Sequence, residues 1–439
     1  MSNLDPAIAQ ILELDKKYLE TTELPIVTVS ASFKEDLKQL YGLPFNNITH
    51  DVVFSRAHYS MALAIAGAVW GTKVDQKKAW GVDPTNYVTR DQWSKIELTE
   101  VIGKTLARRP LLKKIKDFID KFGRNNLPIL KSISPSLVYL TQNVKQPIVS
   151  VHIAAGNILA GQGKQVVQIV TDPHVRYDYL AFAEKPNITF CVFDEKTKVE
   201  FLEKAALAEK KVDPDRVIVT GPPIDLRIIA KRQAKKPWTH GPLHLCLTTG
   251  GLGTNKVEIK SILKSILPEL RKHSPRLKLL VYAGTQPDIS QMIEEEAHEH
   301  HVAIGKLSDS QAPLRVIYHP QIVDANELLL KYGFPWADGF ITKPSGDMAY
   351  DAVAAGCFLL TLEEWGEWEH NIRQTFEERR IGRVAESEAL LTQLEVLMTP
   401  LEGKESWVSE AMTAAQEIEP LFIEGVKNII QVAKNSTKE

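Results

Sequence analysis

Residues 341–371, ITKPSGDMAYDAVAAGCFLLTLEEWGEWEHN, limit what this chain can fold into more than any other stretch. Phe340 to Thr342 close an apolar run and Pro344-Ser345-Gly346 turns the chain. The spacing of Met348, Ala349, Ala352 and Val353 then predicts a helix from about Asp347. Gly356 stands where a helix-ending glycine belongs, and residues 357–362 are an apolar run of the kind buried in parallel sheets. Strand, turn, helix and buried strand in that order call for an α/β architecture. A helix that begins straight after a Ser-Gly turn aims unpaired N–H groups and a positive dipole end at whatever lies above it, so the loop is an anion site. Lys343 adds a full charge there, and Asp351, one turn inward on the polar side, can accept from paired hydroxyls such as those of a ribose.

Residues 342–356, TKPSGDMAYDAVAAG, resemble the donor-binding segment of family 28 glycosyltransferases, whose pattern is close to TKPGGLTxAEAxAxG followed by GQEExN. Thr342, Lys343, Pro344, Gly346 and Gly356 match, and Asp351 falls on the family's ribose-binding Glu. Gly366, Glu369 and Asn371 match the second motif, with Glu367 where Gln is usual. Ser345 replaces a Gly, Asp347-Met348 replaces Leu-Thr, and Asp351 is one methylene shorter than Glu. The resemblance covers residues 145–385 and is densest in 241–385.

What it implies is an α/β chain of two Rossmann-like domains facing across a cleft, the GT-B type, with a C-terminal helix crossing back to the first domain. The expected boundaries are 1–229 for the acceptor-side domain, 230–242 for a linker and 243–405 for the donor domain, with the C-terminal helix in 406–439. The resemblance further implies an inverting transferase using a nucleotide-diphosphate sugar, with UDP as the nucleotide. The pyrophosphate is expected near Lys343, Ser345, Gly346, Asp347 and the loop of Gly250, Gly251, Gly253 and Thr254. Asp351 would hold the ribose, main-chain groups of Ile322 and Val323 the base, and Glu367, Glu369 and Asn371 the sugar. The scheme uses no metal and no cofactor.

Composition sets outer limits. With 439 residues, 44% hydrophobic and 25% charged, the chain reads as a soluble globular protein of two to three domains. A net charge of −2 leaves no footprint for a general nucleic-acid binder. Cys191, Cys246 and Cys357 lie in apolar runs without metal spacing and read as reduced core thiols of a cytoplasmic protein. The longest apolar run, residues 61–70, is too short to span a bilayer. Residues 103–124 are basic and amphipathic. Such a segment either lies on an anionic membrane surface, making the protein peripheral, or is a solvated face packed on its own domain.

Along the chain, strands are expected at 25–30, 147–152, 165–170, 188–193 and 217–220, then at 243–247, 277–283, 316–318, 357–362 and 381–384. Residues 71–135 match no pattern, and 230–242 read as a basic, Pro-containing linker. Ile322-Val323 precedes a helix expected at 326–332. Asp213-Pro214-Asp215 looks like a metal-binding DxD but precedes a strand, so it reads as a helix-to-strand turn; His298, His300 and His301 read as solvated. Gly250, Gly251 and Gly253 open a strand–GGxG–helix unit at the spacing from 341–371 that the resembling family uses.

Transfer to an acceptor hydroxyl needs a base, and three histidines of the first domain qualify: His58, His152 and His174. Residues 57–62, AHYSMA, echo the catalytic His loop of the resembling family, which favours His58. Asp172 can orient His174 or itself act as the base, and the two are expected to line the acceptor site. No pattern specifies the acceptor, and a lipid is among the options. Two other functions fit the same residues: a sugar-nucleotide epimerase or hydrolase, and a nucleotide-sugar or glycan binding protein without turnover.

Overall fold

A computed structural model describes residues 6–30, 56–88, 128–250, 253–400 and 402–436. The basic segment 103–124 and Gly251 lie outside these residues. The chain divides into two compact units, residues 1–226 with 420–439, and residues 227–419.

The first unit is a six-stranded parallel sheet. Its elements are α1 (Pro6–Thr21), β1 (Leu24–Val27), α2 (Arg56–Trp70), β2 (Ala79–Val82), α3 (Pro128–Thr141), β3 (Ile148–Ser150), α4 (Ile153–Gly161), β4 (Val166–Ile169), β5 (Ile188–Val192), α5 (Glu195–Leu207) and β6 (Val217–Val219). The strand order is β2-β1-β3-β4-β5-β6. Order reverses between β1 and β3, so the loops leaving those two strands flank the position where open α/β sheets bind ligands. Strand β2 lies in the stretch where no pattern was expected; AWGV is too short and too mixed to stand out, and its pairing with β1 makes it a strand. The core clusters Ile11, Leu137, Ile148, Leu159, Phe190 and Phe201.

The second unit runs β7 (Leu243–Thr248), α7 (Lys256–Leu270), β8 (Leu277–Gly284), α8 (Pro287–Glu299), β9 (Leu314–Tyr318), α9 (Ile322–Tyr332), β10 (Gly339–Thr342), α10 (Met348–Ala354), β11 (Phe358–Thr361), α11 (Glu367–Glu378), β12 (Gly382–Val384), α12 (Leu390–Met398) and α13 (Trp407–Gln416). All strands are parallel in the order β12-β11-β10-β7-β8-β9, with Leu247 in register with both Ile341 and Val281. The switch point lies between β7 and β10. Strands β7, β8, β10 and β11 are almost wholly buried, as apolar parallel strands covered on both faces must be.

Two local expectations change. Residues at the start of the expected linker are helical: α6 (Leu226–Arg232) buries Ile228, a single anchor that the surrounding basic residues mask in the sequence. Ile322 and Val323 are the first turn of α9 rather than a separate piece ahead of it. Asp213 accepts from Asp215 N at 3.0 Å directly ahead of β6, the turn its position suggested.

The last helix, α14 (Gly425–Asn435), belongs to the first unit and packs on α2. Its approach is tight. Gly221 has φ +84°, and a Cβ there would stand 1.9 Å from Leu421 O; a Cβ on Gly425 would stand 2.0 Å from Pro222 O. Asn428 Nδ2 donates to Thr220 O at 2.9 Å across the same seam. Cys191, Cys246 and Cys357 are all buried, and burial raises every thiol, Cys191 to about 12. Among the described residues no helix is long and apolar enough to cross a membrane.

Candidate functional site

Three loops meet at the carboxyl end of the second sheet. The first follows β7: Gly253 N donates to Gly250 O at 2.8 Å, and Gly253 and Asn255 sit at φ +63° and +64°. This left-handed pair turns the chain so that α7 begins at once. A Cβ at Gly250 would lie 3.2 Å from Thr254 Oγ1 and 3.7 Å from Lys343 Cδ, so the lysine stem of the second loop runs beside the first. Thr254 is buried, and its hydroxyl has no hydrogen-bond partner among the described residues.

The second loop follows β10. Ser345 N donates to Lys343 O at 2.8 Å, Ser345 Oγ donates to Asp347 Oδ1 at 2.7 Å, and Met348 N donates to Ser345 Oγ at 3.3 Å. Ser345 therefore caps α10, a role the glycine of the resembling motif cannot fill. The third loop, between β11 and α11, is fastened to the first. Glu258, near the start of α7, accepts Glu363 N at 3.1 Å and Asn255 Nδ2 at 2.7 Å. Burial raises the Glu258 carboxyl, against the lowering effect of these bonds. Gly366 has no room for a side chain: its Cβ would stand 2.3 Å from the Trp368 ring.

Lys343 does not bring the uncompensated charge that its position in the sequence suggested. Its Nζ pairs with Glu369 Oε1, while Glu369 Oε2 accepts Trp365 N at 2.6 Å. Glu369 is fully buried, and a buried carboxylate is costly unless a cation faces it, as Lys343 does here. Glu367 is exposed and Asn371 half-buried on the same first turns of α11. Asp351 is buried, 5% exposed, because α10 is covered on every side; it does not face the polar surface that helical spacing implied. Ile322 is buried and Val323 half-buried. Gly346 and Asp347 are buried in the loop itself.

In the first unit, His58 on α2 and His152 after β3 come together edge to face, ring centroids 4.9 Å apart and planes at 87°. His152 caps α4, its Nδ1 accepting Ala154 N at 3.2 Å, so the neutral ring carries its proton on Nε2. His58 is the reverse. Its Nδ1 lies 3.2 Å from Val29 O, and because a carbonyl only accepts, the neutral ring keeps its lone pair on Nε2. Of the two, His58 is the tautomer suited to take a proton.

Asp172 and His174 are not partners. Asp172 Oδ2 lies 3.8 Å from Arg176 Nη2, whereas His174 Nδ1 meets Glu200 Oε1 at 3.0 Å. The Glu200 carboxylate also accepts Lys204 Nζ at 2.7 Å and Val175 N at 3.1 Å. Burial alone would raise Glu200; the bonds from His174 and Lys204 hold it below the usual carboxylate range. Glu200 went unnoticed in the sequence because Glu200 and Lys204 read as one more solvated helical pair. Among the described residues no three His, Cys, Asp or Glu side chains gather at metal-binding distance, and His300 Nδ1 contacts Glu296 O at 2.9 Å.

No protein-family model matches the chain, and no curated protein matches its sequence. Solved structures do match. An alpha,alpha-trehalose 6-phosphate synthase from Burkholderia multivorans is 12% identical, with 95% of this chain and 99% of that one covered and a TM-score of 0.53. A UDP co-structure of MnaA from S. aureus is 14% identical over 88% and 96%, TM-score 0.51. A UDP-N-acetylglucosamine 2-epimerase is 13% identical over 95% and 97%, TM-score 0.51. At these identities the likeness speaks for the fold: the chain consists of two Rossmann-like domains of the GT-B fold.

Proposed function

We propose that the protein is a glycosyltransferase that takes a hexose or N-acetylhexosamine from a nucleotide-diphosphate sugar, with UDP as the nucleotide, and passes it with inversion to an acceptor hydroxyl. The observation that supports this most is the meeting of two strand-to-helix loops at the switch point of the second sheet, with the Lys343 stem lying beside Gly250. In this reading the loop amides, Thr254 Oγ1, Ser345 and Lys343 receive the diphosphate, Asp351 the ribose, main-chain groups of Ile322 and Val323 the base, and Glu367 and Asn371 the sugar. The acceptor oxygen forms a bond to the anomeric carbon as the bond from that carbon to the phosphate oxygen breaks. The hydroxyl proton passes to Nε2 of His58, and the diphosphate leaves with the electron pair. Asp172 and His174 line the acceptor side, with Glu200 orienting His174.

The alternative is a sugar-nucleotide epimerase or hydrolase. It is supported by the likeness to a UDP-N-acetylglucosamine 2-epimerase over 95% of the chain, and by His58 and His152 standing together in opposite tautomers. Incubation with a panel of UDP-sugars, read for free UDP and for the sugar product, separates the readings. Transfer yields UDP only with an acceptor present, or slowly with water. An epimerase yields an isomeric sugar without one. Nucleotide binding with no product under any condition leaves a binding protein and overturns the transferase reading.

A further inference from the structure

We propose that Glu369 is a specificity and release residue: acting through Lys343, its carboxylate weakens the hold of the donor loops on a bare nucleoside diphosphate relative to a nucleotide-diphosphate sugar. This inference rests on the donor-site reading above.

Glu369 is wholly inaccessible, while the Lys343 side chain keeps 18% of its surface. One Glu369 oxygen is committed to Trp365 N at 2.6 Å and the other to the Lys343 ammonium. Helix α11 and the Trp365–Gly366 turn fix where that carboxylate stands, so it cannot swing into solvent when an anion arrives. The Lys343 cation is thus delivered already neutralised. Asp347, whose carboxylate accepts the Ser345 hydroxyl, adds a second negative group to the same loop.

The consequence follows from the charges of donor and product. In the donor each phosphate has one ester and one anhydride link and so one ionisable oxygen; loss of the sugar leaves a terminal phosphate with a second ionisation near pH 6, so at neutral pH the product carries about one charge more. A cation standing alone would hold that product harder than the donor. With Glu369 behind Lys343 the added charge meets a fixed carboxylate. At a separation of about 6 Å and an effective dielectric of about 20, the repulsion corresponds to roughly a hundredfold in affinity. Without Glu369 the lysine loses its tether, and ordering it on binding offsets roughly tenfold of that. Repulsion wins. The net effect of Glu369→Gln is UDP bound about tenfold more tightly, with less change for a UDP-sugar. Had Glu369 been a sugar ligand, as its place in the motif suggests, the same substitution would weaken the UDP-sugar and leave UDP unchanged.

The test is calorimetry of the full chain with UDP, UDP-glucose and UDP-N-acetylglucosamine in wild type, Glu369→Gln and Lys343→Met/Glu369→Gln, with thermal unfolding to verify folding. The glutamine keeps an acceptor for Trp365 N. Expected is about tenfold tighter UDP in Glu369→Gln, a smaller gain for the sugar nucleotides, and loss of the gain in the double variant. A second measurement needs no variant: wild-type UDP affinity followed from pH 5 to 8 should not rise as the terminal phosphate ionises around pH 6. Unchanged or weaker UDP binding in Glu369→Gln, equal tightening of all three ligands, or a tenfold wild-type rise through pH 6 overturns the proposal. If wild type binds none of the three, the donor-site reading fails and this inference with it.

Discussion

Replacing Lys343 by Met removes the cation that faces a fully buried Glu369 carboxylate and leaves a side chain of similar reach in its place. Breaking a buried pair from one side costs about 3–5 kcal/mol. Lys343 keeps 18% exposure, so water can approach the stranded carboxylate and the loss falls to about 2–3 kcal/mol. In a unit of this size each kcal/mol moves the unfolding midpoint by about 2–4 °C, so the second unit should melt about 4–12 °C lower. Adding Glu369→Gln removes the stranded charge and should return most of that loss, since Gln still accepts Trp365 N. Differential scanning calorimetry on the single and double variants measures both numbers. A Lys343→Met protein as stable as wild type, or a double variant no more stable than the single, refutes the reasoning that the pair is buried and coupled.

His58→Asn keeps a donor for Val29 O and removes Nε2; it should fold normally and lose about a hundredfold or more in turnover with UDP affinity intact, whereas His174→Ala should lose less. The reverse ranking, measured in the UDP-release assay, moves the base to His174. Gly221→Ala places a Cβ 1.9 Å from Leu421 O at φ +84° and should destabilise the first unit by about 3 kcal/mol or more, seen as early exposure of α14 in limited proteolysis. His244 and Asp338 form a pH-compensated pair at the other end of the second sheet. Burial, with Lys278, Arg315 and Lys235 nearby, lowers His244 to about 4, and burial raises Asp338 to about 6. A depressed imidazole contributes stability above its unfolded value of 6.5 that is lost as pH falls through 4, while a raised carboxyl contributes stability at low pH that is lost as pH rises through 6. The two oppose each other between about pH 4 and 6, so in Asp338→Asn urea stability should fall more steeply than in wild type as the pH drops through that range.

Apolar period and turn residues made the second unit readable. The β10–α10–β11 segment follows from Gly346, Gly356 and the apolar runs FIT and CFLLTL, because parallel strands covered on both faces tolerate little else. Strand β2 was hidden for the opposite reason: four residues with a Gly and a Trp carry no period, and only pairing with β1 defines it. In the site, the loops were legible and the ion pairs were not. Lys343 and Glu369 are 26 positions apart, and nothing in local spacing says that α11 turns one toward the other. The same holds for His174 and Glu200, where sequence adjacency pointed to Asp172 and tertiary packing chose a helix one crossover away. Buriedness of Asp351 escaped the helical-face argument because α10 has only seven residues and is covered on all sides. His58 and His152 were each visible as loop histidines, but their opposite tautomers depend on backbone partners, Val29 O and Ala154 N, that a sequence does not display.

Hydrogen exchange by mass spectrometry with and without saturating UDP shows whether the loops after β7 and β10 hold a nucleoside diphosphate. Exchange should slow in peptides covering residues 249–256 and 343–349. Saturating UDP that slows exchange elsewhere and leaves both of those segments as they were contradicts binding at these loops.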